Sequence, residues 1–137
     1  MNPMTAADEL TRVLERMPGV RLAVLFGSVD RDTARMHSDL DIGVVMEHGE
    51  DVSQAMQVAL ERAVGRRLDL IDLGRAGPLV RFEAARDGRV LLMRSPDSWA
   101  DFRARAMIDW WDWAPTARMA HATVARRLRE ETSRGPS

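Results

Sequence analysis

At 137 residues, 45% of them hydrophobic, the chain can build one domain-sized core and leaves no room for a second domain that would enclose a substrate. Its 20 basic and 21 acidic residues give a formal net charge of -1, so no global field draws it to nucleic acid or to a membrane surface. Cysteine is absent, which excludes disulfides, thiolate metal sites and cysteine nucleophiles.

The opening "MNPMTAADEL" has neither the basic cluster nor the apolar core of a signal peptide, and no later run approaches a membrane span. A cytoplasmic protein with no membrane contact is expected. Thr5 with Asp8 has the form of a capping box, and Leu10, Val13, Leu14 and Met17 recur at helical spacing before Pro18-Gly19. Val20 to Phe26, "VRLAVLF", reads as a buried strand. Asp30 to Ser38 is polar, a loop or short helix, and Leu40 to Met46 returns to strand composition. Asp51 to Val64 has helical spacing with Gly65 as its stop, and Arg67 to Leu73 alternates as a third strand. Pro78 to Asp87 fits a helix with proline near its start and Gly88 past its end, followed by a short strand at Val90 to Met93. This order predicts an α/β (α+β) fold with one mixed sheet of about four strands flanked by helices.

From about Asp97 the chain again reads as helix, kinked near Pro115. Trp99, Phe102, Ala106, Trp110 and Trp113 form one apolar stripe, and Ala104, Met107, Trp111 and Ala114 a second. A surface helix of a small monomer needs one stripe, so the second predicts burial against a partner chain or deep within the chain's own fold. The expected division is a core domain over 1–95, a C-terminal helical extension over 96–132 that packs on the domain and on a partner, and a tail over 133–137.

The chemistry gathers in "LFGSVDRDTARMHSDLDIGVVM", Leu25 to Met46. Residues i and i+2 of a strand share a face, so Asp39 and Asp41 project side by side while Leu40 and Ile42 face away. Two adjacent carboxylates repel unless a cation lies between them, and oxygen ligands of this kind suit Mg²⁺ held together with substrate phosphates. Upstream, Gly27 permits close backbone approach, Ser28 offers a hydroxyl and an amide just after a strand, and Arg31 can neutralise a phosphate oxygen. Gly-Ser is also a common turn, and an aspartate at a strand start also caps loops. The two halves standing at two strand ends nevertheless form a framework for nucleotidyl transfer by in-line attack on an α-phosphorus. His37 is read as a solvated neighbour of this site, and His48 and His121 have no partner at zinc spacing.

At these residues the chain resembles the minimal nucleotidyltransferases of the DNA polymerase beta superfamily, whose signature is Gly-Ser, ten residues, then Asp-x-Asp. Gly27, Ser28, Asp39 and Asp41 match it, and the likeness extends to Arg31, to Ser38, to "RLDLIDL" and to "GPLVRFEAARDGRVLL", covering most of residues 20 to 94. One departure is that Asp30 and Asp32 flank Arg31 where similar proteins often carry neutral residues. The resemblance implies ATP as substrate, two Mg²⁺ ions, Gly27, Ser28, Arg31 and Ser38 around the triphosphate, and a third carboxylate beside Asp39 and Asp41. Asp69 and Asp72 differ in parity, so only one of them can join that pair. Asp69 is favoured and Asp72 remains open.

In length, motif and C-terminal helix the chain is most similar to the MntA-type antitoxins encoded beside a HEPN-domain ribonuclease toxin. That likeness implies AMP transfer from ATP to a tyrosine of the toxin in a type VII toxin–antitoxin system, with the toxin as partner and no direct nucleic-acid contact. The chain itself has no tyrosine. Two other functions stay open: an antitoxin that neutralises by binding alone, and a small-molecule transferase of the aminoglycoside type.

Overall fold

The computed structural model describes residues 5–26 and 40–115. Four helices and a four-stranded mixed sheet account for most of them: α1 (Ala6–Glu15), β1 (Val20–Phe26), β2 (Leu40–Met46), α2 (Gln54–Val64), β3 (Leu68–Asp72), α3 (Pro78–Asp87), β4 (Arg89–Met93) and α4, helical from residue 98 to the end of the described segment at 115.

Each helix begins where its sequence provides a start. The capping box of α1 is present, Thr5 Oγ accepting from Asp8 N while the Asp8 carboxylate accepts from Thr5 N. Helix α2 starts three residues later than expected, because Ser53 Oγ accepts from Met56 N at 3.2 Å and caps it there. Asp51 lies outside the helix and pairs instead with Arg75 at 2.6 Å. Gly65 ends α2 with φ +67, the left-handed conformation that closes many helices. Pro78 opens α3 in its first turn, where a missing N–H costs nothing.

The strand order is β3-β2-β1-β4. Strand β1 is antiparallel to both β2 and β4, while α2 carries the chain over so that β3 runs parallel to β2. Helices cover both faces of this sheet. On one face Leu10 and Leu14 of α1 and Leu60 of α2 pack on Leu40, Ile42, Val44 and Leu68. On the other, Ala84 and Ala85 of α3 and Phe102 and Ala106 of α4 pack on Leu22, Val24 and Phe26. Gly43 lies on this second face, and a Cβ there would stand 2.5 Å from Leu73 Cδ1, so only glycine lets Leu73 fold down onto the sheet.

Helix α4 is therefore a wall of the sheet's second core. Its first apolar stripe faces inward: Phe102 and Ala106 are buried, and Trp99, Trp110 and Trp113 are half-buried. Phe82 of α3 stacks on Trp110 with ring centroids 4.6 Å apart, joining the two helices. The expected second stripe divides. Ala114 is buried and Met107 packs on the core, whereas Trp111 is 75% exposed, and Ile108 at 61% joins it on the outer face. The expected kink near Pro115 falls at the end of the described residues. No described helix is long and apolar enough to cross a membrane.

Candidate active site

Three of the proposed or competing carboxylates lie on β2 and β3, and the register between those strands separates them. Leu40 pairs with Leu68, Asp41 with Asp69, Ile42 with Leu70, and Val44 with Asp72. Paired residues of neighbouring strands share a face, so Asp41 and Asp69 stand side by side. Leu40 and Ile42, on either side of Asp41, belong to the core under α1 and α2, which directs Asp41 and Asp69 to the face covered by α3 and α4. Asp72 shares parity with Val44 and lies on the other side. Its carboxylate closes a turn, Oδ1 accepting from Gly74 N at 3.0 Å and Oδ2 from the Arg75 guanidinium at 2.8 Å.

Asp41 is half-buried and Asp69 exposed, so the pair faces solvent at a sheet edge rather than the closed core. The edge is the one where β1 ends: Phe26, the last residue of that strand, pairs with Asp41. Gly27, Ser28, Arg31, Ser38 and Asp39, together with Asp30, Asp32 and His37, lie outside the described residues, as does His121. His48 is exposed in a 3-10 turn over Glu47–Gly49 with φ +52.

Two carboxylates on adjacent strands and one face suit a hard divalent cation, since oxygen ligands of this kind are what Mg²⁺ accepts. Among the described residues no three metal-ligating side chains converge, and Asp39, the remaining carboxylate of the expected set, lies outside them.

Residues 8–97 match the family model "Polymerase beta, Nucleotidyltransferase", about two-thirds of the chain. The chain belongs to this nucleotidyltransferase family. No curated relative matches it in sequence. Among solved structures it is similar to a toxin–antitoxin complex with AMP-PNP, at 19% identity and a TM-score of 0.73, covering 87% of this chain and 98% of that one. It is likewise similar to the toxin–antitoxin MntA-HepT, at 18% identity and 0.70, covering 88% and 97%. A third is tri-AMPylated Shewanella oneidensis HEPN toxin in complex with MNT antitoxin, at 18% identity and 0.70, covering 88% and 96%. At these identities the likeness is one of fold.

The same sheet face holds a feature of the nucleotidyltransferase that the sequence did not announce. Arg21, Arg81 and Arg105 line one cavity near the opposite end of β2. They come from β1, α3 and α4, so no spacing along the chain brings them together.

Proposed function

We propose that the chain is a Mg²⁺-dependent nucleotidyltransferase that moves AMP from ATP to a tyrosine of a HEPN-domain ribonuclease and thereby acts as its antitoxin. The register that sets Asp41 beside Asp69 on one face is the observation that carries this reading. Chain connectivity supports it, because Gly27 follows Phe26 and Asp39 precedes Leu40, and Phe26 and Leu40 stand at the same sheet edge as Asp41. The similar structures with AMP-PNP and with a tri-AMPylated toxin support the donor and the acceptor class.

Asp39, Asp41 and Asp69 would hold the metal ions, which when bound supply charge neutralisation at the phosphates and acidify the acceptor hydroxyl. Gly27 and Ser28 offer backbone and hydroxyl donors to the triphosphate, with Arg31 and Ser38 as further contacts. The tyrosine oxygen attacks the α-phosphorus and forms the new P–O bond. The bond from that phosphorus to the oxygen bridging the β-phosphorus breaks, and pyrophosphate leaves. Asp69 accepts the phenolic proton as general base. Because the chain contains no tyrosine, a tyrosyl adduct can form only on the partner.

Ile108 and Trp111 on the outward face of α4 offer an apolar surface for the toxin. Incubation of the chain with the product of its neighbouring gene, ATP and Mg²⁺ tests the proposal by mass spectrometry. One or more AMP units on the partner are expected, and none with Asp41→Ala. Neutralisation of the partner without ATP, with no adduct formed, would establish the binding-only function instead.

A further inference from the structure

The arginine-lined cavity has a volume of about 570 Å³, within the range of small-molecule sites. It is bounded by the sheet, by α3 and by α4. Val45 lines it, four residues along β2 from Asp41, which places it about 13 Å from the carboxylate pair at ~3.3 Å per residue. Leu22, Leu73 and Phe102 contribute an apolar wall. Against three arginines stands one carboxylate, Asp101, so the lining carries a formal charge of +2.

Two further observations mark this as a place built for an acceptor. Ser98, 5% exposed, opens α4 and lines the cavity, and its buried Oγ has no hydrogen-bond partner among the described residues. Arg81 lies with its guanidinium carbon 5.4 Å from the Phe102 ring centroid, and its buried Nε likewise has no acceptor. A buried donor without a partner is destabilising, and more so when it is charged, so both groups favour an incoming hydrogen-bond acceptor. The N-terminus of α4 adds positive potential on the same side as Ser98.

We propose that this cavity binds a phosphate monoester carried on a flat or apolar body, a dianion of nucleotide size, at a site separate from the Asp41 and Asp69 edge. The dianion matches the +2 lining, the arginine forks match phosphate oxygens, and the body lies on the apolar wall. No divalent cation is needed, because the positive charge is supplied by the chain.

The test is calorimetric titration of the full chain with AMP in EDTA, which silences any metal-dependent donor site and makes the result independent of the transferase proposal. AMP is expected to bind wild type and Asp41→Asn alike. Arg105→Gln, at an exposed position, and Arg81→Gln should each weaken it at least about tenfold, with circular dichroism confirming the fold. Adenosine, which lacks the charge, and inorganic phosphate, which lacks the body, should each bind at least about tenfold more weakly than AMP. Absence of AMP binding in EDTA, AMP binding unchanged by both arginine substitutions, or equal binding of adenosine or phosphate would overturn the proposal.

Discussion

Asp69 and Asp72 are three residues apart on one short strand, and the register assigns them to different work. Asp69 shares a face with Asp41, while Asp72 holds Gly74 N and Arg75 in a turn on the opposite side. Asp69→Asn is therefore expected to lower AMP transfer at least about 100-fold, equivalent to ~3 kcal/mol of barrier, without shifting the melting temperature. Asp72→Asn should do the reverse: transfer is retained within about twofold, and stability falls by ~1 kcal/mol as the charged turn bond weakens. Parallel kinetics and thermal melts of the two variants check this, and loss of transfer in both would remove the distinction. Gly43 makes a second prediction at this scale. Gly43→Ala places a methyl against Leu73 and should destabilise by about 1–3 kcal/mol in chemical denaturation, since Leu73 is fully buried and has nowhere to move.

Among the elements, the strands bearing the site were the most legible. Val20–Phe26 and Leu40–Met46 are apolar runs bounded by polar turns, and their ends in the structure are those the sequence indicates. The start of α2 was less so, because Asp51, Val52 and Ser53 all suit a first helical turn, and only the hydrogen bond from Met56 N to Ser53 Oγ decides among them. Arg94 was silent in the sequence. Its guanidinium donates to the carbonyls of Leu14, Glu15, Met17 and Val20, tying the end of α1 and the start of β1 to the chain just after β4. Arg94→Ala should cost about 1–2 kcal/mol in denaturant unfolding, as carbonyls at a helix C-terminus lose their donor. Helix α4 presents the opposite case: its two stripes were legible, but which residues face outward depends on how the helix is rotated against α3. The Phe82 and Trp110 stack fixes that rotation and turns Ile108 and Trp111 to solvent. Trp111→Ser should leave stability within about 0.5 kcal/mol and weaken partner binding by at least about tenfold, measured by calorimetry. Unchanged affinity would move the docking face elsewhere.

For the molecule as a whole, the site arises because a single sheet gathers distant segments at one edge. Strand β1 ends there, β2 begins there, and the parallel crossover through α2 brings β3 to begin there too. The Gly-Ser and Asp-x-Asp motif was visible because it is local to one stretch of chain. Partnership between Asp41 and Asp69 follows from strand register, and local pattern leaves register to tertiary packing; parity alone could narrow the choice. The arginine cavity lay beyond sequence reasoning for the same reason, since β1, α3 and α4 supply one arginine each. Transfer of AMP from this edge to a tyrosine of a partner ribonuclease is read from the intact mass of both chains after incubation with ATP and Mg²⁺. The partner is expected to gain whole AMP units, mapped to tyrosine by peptide fragmentation, while this chain gains none, and Asp41→Ala is expected to abolish the gain. A partner whose mass is unchanged, or is modified equally by the Asp41→Ala variant, would contradict it.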